Sequence, residues 1–337
     1  MAPNIDKEVE DKIMDVEEAV KKFIRDGCQI GLGGFTVQRH PMELIREIIR
    51  QRRRELVLLG CSQGIDADML IGAGCVKRIE MAYVGDEPFV SPSPNFRRAI
   101  EEGEIEWEDY SNFGSTLRFV GGALGLPFMP TKSMLGSDMV EKWGIPPESR
   151  EERRDPKLPS KKLAVMTCPF TGEKVILVPS CNPDVAIIHA QICGNKGTVR
   201  ILGQTFVDEF VAKAAERVIV TCEEIVPEDE IRKEPERNQI PFYIVDAIVE
   251  IPYGAHPTAV YRYYDYDPEH YGVYIKAAKA GRDSFQRYLE EYVYGVDGIS
   301  EYLKKIGGEE KLRRLKADPT LGYSTRIRRH KAFGERK

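Results

Sequence analysis

Two glycine-rich turns define the chemistry open to this sequence. The first runs Asp26-Gly27-Cys28-Gln29-Ile30-Gly31-Leu32-Gly33-Gly34-Phe35 and continues as Thr36-Val37-Gln38-Arg39-His40-Pro41. Glycines at a strand end let backbone approach a ligand closely and leave amide N–H groups free to face it. Open α/β sheets bind ligands at the carboxyl ends of their strands. A tight strand-to-helix turn needs the same glycines for shape alone, so both readings stand. A dinucleotide fingerprint requires a third glycine three residues after Gly33, where Thr36 stands, which counts against a dehydrogenase. The second turn is Gly60-Cys61-Ser62-Gln63-Gly64. Ser62 and Gln63 can hydrogen-bond a carboxylate or thioester oxygen, or simply form a polar turn. The spacing Gly60-x-Ser62-x-Gly64 has the letters of a G-x-S-x-G elbow, but Ser62 as a nucleophile would also need a nearby base.

Further candidates lie in Tyr83-Val84-Gly85-Asp86-Glu87-Pro88 and in Phe119-Val120-Gly121-Gly122-Ala123-Leu124-Gly125. Asp86 and Glu87 are paired acids suited to proton transfer, or equally to helix capping and solvation. Gly121 and Gly122 fall in a helical stretch, where glycine costs about 1 kcal/mol relative to alanine. That cost implies close packing or ligand approach. His40, His189 and His256 sit in motif-like settings, and a hydrogen-bonded structural role is the default for each. The seven cysteines, at 28, 61, 75, 168, 181, 193 and 222, form no C-x-x-C pair. They read as buried free thiols of a reducing cytoplasm, and the spacing counts against a zinc site.

The elements that must position these residues alternate. The spacing of Ile13, Val16, Ala19, Val20 and Phe23 predicts a helix over 6–26, ended at Asp26-Gly27. A strand over 29–32, a helix over 42–53 and an apolar strand over 55–60 make a βαβ unit. Strands follow at 76–84, 105–110, 174–179, 185–190 and 217–221, with helices at 93–102, 117–125 and 208–216. Residues 145–162 are charged and proline-rich and read as a surface excursion. From about 265 the chain turns helical and rich in tyrosine. The expected fold is α/β: an open, mostly parallel sheet with flanking helices over 1–264 and a helical C-terminal extension over 265–337. The 337 residues, 42% hydrophobic and 31% charged with net charge −5, describe a globular protein large enough for its own core. There is no basic bias toward nucleic acid and no apolar run of membrane-spanning length, and the polar, acidic start is not expected to be a signal peptide.

These motifs resemble the α-type subunits of the family I CoA-transferases. That family's signature is Asp-Gly, two residues, three apolar residues, Gly-Gly-Phe, three residues, Gly, one residue, Pro. Here it stands as Asp26 to Pro41, with Gly31 in place of an apolar residue and Arg39 in place of the second glycine. Asp184-Val185-Ala186-Ile187-Ile188-His189-Ala190-Gln191, Thr221-Cys222-Glu223-Glu224-Ile225, Pro252-Tyr253-Gly254-Ala255-His256-Pro257 and Tyr264-Asp265-Tyr266-Asp267 are similar to the glutaconate branch. The resemblance implies that CoA moves between a small (di)carboxylic acid, such as glutaconate, and an acyl-CoA. It implies ping-pong kinetics through a glutamyl-CoA thioester. The family's glutamate lies in a Ser-Glu-Asn-Gly-type motif of a β subunit, and this chain has no such motif. No catalytic residue is therefore expected in this chain. A β partner would supply the glutamate in an α2β2 or larger assembly. The implied substrate-binding set is Gly33, Gly34, Phe35, Gln38, Arg39, His40, Ser62, Gln63, Gly64, Asp86, Glu87, Gly121 and Gly122, with coenzyme A or acyl-CoA as substrate, no permanent cofactor and no metal. The alternatives are a CoA-ester hydrolase subunit on the same fold and a non-catalytic subunit that binds a CoA ester.

Overall fold

A computed structural model describes residues 11–87, 89–152 and 157–327. The first residues of the expected 6–26 helix, the middle of the 145–162 stretch and the last residues of the C-terminal extension lie outside it. In chain order, α1 (Val16–Phe23) leads into β1 (Gln29–Leu32), α2 (Met42–Arg50), β2 (Leu56–Leu59), the short β3 (Ser62–Gln63), α3 (Ile65–Gly72), β4 (Val76–Glu80), β5 (Tyr83–Val84), α4 (Pro94–Glu101) and β6 (Glu106–Glu108). Then come α5 (Asn112–Ala123), β7 (Phe128–Thr131), α6 (Pro147–Glu151), β8 (Ala164–Thr167), β9 (Lys174–Pro179), β10 (Val185–Gly194) and β11 (Val199–Arg200). The chain continues through α7 (Asp208–Ala214), β12 (Arg217–Val226), α8 (Glu228–Ile231) and β13 (Ala247–Glu250) to α9 (Pro268–Lys279), α10 (Arg282–Leu289), α11 (Gly298–Lys305) and α12 (Gly308–Leu315).

The main sheet has the order β13-β12-β10-β1-β2-β4-β6. Every pair along that path is parallel, and β11 joins β10 antiparallel. Strands buried on both faces read as unbroken apolar runs, and the side-chain alternation divides them between two cores. Ile30, Leu32, Leu56 and Leu58 face one core with α2, α3, α9 and α10. Val57, Leu59, Ala186, Ile188, Val218 and Val220 face the other, with α7. Gly31 belongs to this second contact. A Cβ there would stand 2.9 Å from Val211 Cγ1 of α7, which accounts for the missing apolar side chain.

The sheet order reverses at β1: later strands add through β2 on one side and through β10 on the other. That is the topological switch point where open α/β sheets form a crevice, and Gly33-Gly34-Phe35 follows β1 directly.

Two expectations change. Residues 145–162 are not merely a surface excursion. Arg150 and Lys162 are buried and paired with Glu108, Lys162 at 3.1 Å. A second, antiparallel sheet, β7-β9-β8, stands off the main one. The sequence pattern predicts only its middle strand.

Candidate active site

The glycine loop is held from beneath by groups distant in sequence. Asp208, at the start of α7, accepts the Gly34 N–H at 2.8 Å through one oxygen and pairs with Arg39 at 2.6 Å through the other. Arg39 also donates to the His189 and Gln204 carbonyls. Its buried guanidinium fixes the loop to β10 and to the segment after β11. Gly34 has φ +85°, and a Cβ there would meet His40 and the Gln38 carbonyl at under 3 Å. Arg39 and Thr36 also adopt left-handed backbone, so Gly34 is one of several sharp bends in the turn.

His40 lies buried under the loop, Nε2 at 2.8 Å from the Thr36 carbonyl and Nδ1 at 3.2 Å from the Gly33 carbonyl. Asp66 Oδ2 is 3.1 Å from Nδ1. Acceptors on both nitrogens call for two N–H donors. Burial alone would lower the His40 pKa, but Asp66, the Thr36 carbonyl and Asp86 together raise it above its ordinary value.

The amides of the loop do not face outward. Gly33 donates to Ile187, Phe35 to Gln38 and Thr36 to Ser62, and Gly34 to Asp208. The expectation that these N–H groups face a ligand therefore gives way to a loop whose amides are used in its own support. Its outward surface is the half-buried Phe35 and Thr36 and the exposed Gln38. Phe35 stacks on Phe206 with ring centroids 4.7 Å apart.

Ser62, Gln63 and Gly64 adjoin the loop. Ser62 Oγ donates to Asn112 Oδ1 at 2.6 Å. Gln63 donates to the Leu32 carbonyl, leaving its own Oε1 buried with no partner among the described residues. An unpaired buried acceptor is costly. Gly64 leaves room for Asp86, whose Oδ1 a Cβ would overlap. Asp86 accepts the Ile65 N–H and the Ser93 hydroxyl. Burial and neighbouring Asp68 push its carboxyl up to about 8. Glu87 is exposed. Gly121 and Gly122 lie in the last turns of α5, roughly 14 Å along the helix from Asn112. There the Ser180 hydroxyl and the Cys181 carbonyl fill the space their Cβ atoms would need. The structure thus brings residues 33–40 and 62–64 together over Asp86, and leaves Gly121 and Gly122 apart from them.

The wall of the crevice is the long β10–β12 pair. His189 bridges Thr221 Oγ1 and Glu223 Oε1, both at 2.8 Å, and Glu223 also accepts from Tyr264 and from the Tyr253 N–H. Beside it a groove of about 340 Å³ is lined by Ile201, Leu202, Gly203, Gln239 and Tyr261, within the range of small-ligand clefts. A larger cavity, about 730 Å³, lies against α9 and α12. Its Lys311 and Arg314 are paired with Asp267 and Glu269, and none of the loop residues lines it. Asp208, Phe206, Asn112 and Asp66 did not emerge from sequence reasoning. Of these, only Asp208, an acid starting an expected helix, had any local signal.

Residues 13–251 match the family model described as coenzyme A transferase. The chain belongs to that family of enzymes. It is 43% identical to the A-type subunit of the glutaconate CoA-transferase of Acidaminococcus fermentans over 93% of this chain and 97% of the relative. The crystal structure of that transferase superposes with TM-score 0.89 at 42% identity, covering 95% of this chain and 99% of the other. The A-type subunit of the 3-oxoadipate CoA-transferase of Pseudomonas knackmussii is 33% identical over 88% of this chain and 98% of its own. A cholesterol ring-cleaving hydrolase IpdA subunit from Rhodococcus jostii is 28% identical over 89% of this chain and 98% of its own.

Proposed function

We propose that this chain is the α-type subunit of an acyl-CoA:carboxylate CoA-transferase. It would move CoA between a small carboxylic acid, with a dicarboxylate such as glutaconate as first candidate, and an acyl-CoA. The likeness to the A-type subunit of a glutaconate CoA-transferase, spread over nearly the full length of both chains, carries this reading. The local chemistry is consistent with a nucleophile supplied by a partner. Asp208, Asp66 and Asp86 at the loop and Glu223 on the crevice wall are buried carboxylates each held by two or more protein groups. A β-type subunit would bring a glutamate to the crevice. That carboxylate attacks the thioester carbonyl and expels CoA thiolate. The thiolate then attacks the glutamyl carbonyl of the mixed anhydride and releases the first acid. The acceptor carboxylate reverses the sequence. In this reading Phe35, Gln38 and Ser62 shape and orient, and the buried Gln63 supports the turn through its bond to the Leu32 carbonyl.

The test is reconstitution with the β-type family chain of the same genome, assayed with an acyl-CoA with and without acetate. The expected result is CoA exchange that requires acetate, and borohydride inactivation in the presence of acyl-CoA that labels a partner glutamate. Thioester loss indifferent to acetate would instead favour hydrolysis, the activity named for the IpdA relatives. Labelling of Glu87 would place the nucleophile on this chain.

A further inference from the structure

The small sheet β7-β9-β8 is apolar on both faces. Inward, Thr131 beside Ile176 and Met129 beside Val178 cover Tyr110, Leu117 and Met134. Outward, the register aligns Phe128 with Pro179, Pro130 with Leu177, and Val175 with Met166. Phe128, Pro130 and Met166 are exposed. The β8–β9 hairpin is closed by Cys168 N–H to Glu173 O and Gly172 N–H to Cys168 O. At its tip Phe170 is 92% exposed. An ordered turn that holds an aromatic ring in water gains nothing from it within this chain.

The tip lies at the same end of the molecule as the candidate site. Glu173 pairs with Lys132 at 2.8 Å, Ser133 Oγ lies 2.7 Å from Ser111 Oγ, and the next residue, Asn112, accepts from Ser62. Phe113 follows, 58% exposed. A surface of exposed apolar groups interspersed with the Lys132–Glu173 ion pair thus runs from the outer sheet face and Phe170 to Phe113 at the rim of the Ser62 turn. It presents on the order of 500 Å², since one aromatic side chain carries roughly 200 Å². A standard interface buries about 800 Å² per partner, a little over half of it apolar. This one face therefore supplies the apolar share of a full interface.

We infer that the outer face of β7-β9-β8, with Phe170 as its anchor, docks the β-type subunit and brings that chain's carboxylate to the Ser62 end of the crevice. The inference rests on the proposed function for the identity of the occupant. The occupant has an apolar recess for the Phe170 ring and an acid at the edge of that recess. A second copy of this chain would cover the same face but would bring another glycine loop, and no free acid, to the site.

The experiment measures assembly, independently of turnover. The full chain and the β-type family chain are titrated by sedimentation velocity as wild type, as Phe170→Ser, and as Tyr243→Ser, an apolar truncation at an exposed residue off this face. Thermal unfolding of each variant alone should match wild type. Phe170→Ser should weaken the heteromeric complex at least thirtyfold, the scale of an aromatic anchor, while Tyr243→Ser leaves it unchanged. An unchanged complex in Phe170→Ser overturns the inference, and so does failure of the wild-type chains to associate. Loss in Phe170→Ser of self-association by this chain alone assigns the face to a second copy and also overturns it. If Phe170→Ser breaks a wild-type complex that shows no CoA exchange, the docking inference stands and the transferase reading fails. An active complex indifferent to Phe170→Ser gives the reverse.

Discussion

Asp208 ties the two ends of the glycine loop with one carboxylate, through Gly34 and through Arg39. Both members of the ion pair are buried, so removing one leaves the other charge without compensation. Asp208→Ala should therefore cost about 3–5 kcal/mol, read by urea denaturation. A loss under 1 kcal/mol would mean the loop is held by its other bonds. The acids beneath the loop make a second prediction. His40 is raised above its ordinary value, Asp68 is pushed up to about 6 and Asp86 to about 8. In each case the folded chain holds its proton at a pH where the unfolded chain has released it. Their stabilising contribution is full below the unfolded pKa values and is lost as pH rises, so stability should fall between about pH 4 and pH 8. Asp86→Asn keeps an acceptor for the Ile65 N–H and removes the charge. Its melting temperature should change less across that window and equal or exceed wild type near pH 8. Parallel curves for the two proteins would assign the pH dependence to other groups.

At the scale of elements, α5 separates two roles of glycine. Gly122 has the Cys181 backbone carbonyl where its Cβ would stand, whereas Gly121 has the Ser180 hydroxyl, a short side-chain end that can rotate. Alanine gains helix propensity at either place. Gly122→Ala should nonetheless lose about 1–3 kcal/mol through overpacking, and Gly121→Ala distinctly less, measured by denaturant midpoints at equal m-values. The same helix shows how far the sequence could be read. Glycine in a helix announced close packing, but not that the contact was residues 180–182 rather than a ligand. β1, β2 and β10 were legible because buried parallel strands are continuous apolar runs. β7 and β8 were not: Pro127 and Pro130 interrupt one, and the other is four residues of mixed character at a sheet edge. Arg150 and Lys162 read as solvent-facing because their partner Glu108 lies far earlier in the chain. In the site, the strand-end glycines and Ser62-Gln63 carried local signals. Asp208, Phe206 and Asn112 are joined to them only by the fold.

For the whole molecule, the C-terminal helices extend past the span of the family model at residue 251, yet they close its first core. Tyr271, Tyr274, Phe285, Tyr288, Leu289 and Val293 are buried in one cluster with Leu44, Ile48 and Leu70 of α2 and α3. Polar bonds cross the same boundary. Tyr274 donates to Asp68 at 2.6 Å, Arg50 donates to the Val293 carbonyl, and the Arg46 guanidinium lies 3.9 Å from the Tyr302 ring centre. Each buried large side chain is worth roughly 1.5–3 kcal/mol. Six of them together match the whole net stability of a domain, typically about 5–15 kcal/mol. Removal would also take Tyr274 from Asp68 and Tyr302 from Arg46 and open both to water. A chain ending at residue 264 should therefore fail to unfold cooperatively and should bind a hydrophobic dye such as ANS. A chain ending at residue 305 loses α12, whose Leu315 packs in a separate small cluster with Ala255, Val260 and Tyr264. It should keep a cooperative transition at a lower melting temperature. If the 264-residue chain unfolds cooperatively near the wild-type temperature, the sheet and its flanking helices are stable on their own, and the tyrosine-rich helices are an addition to a fold already complete.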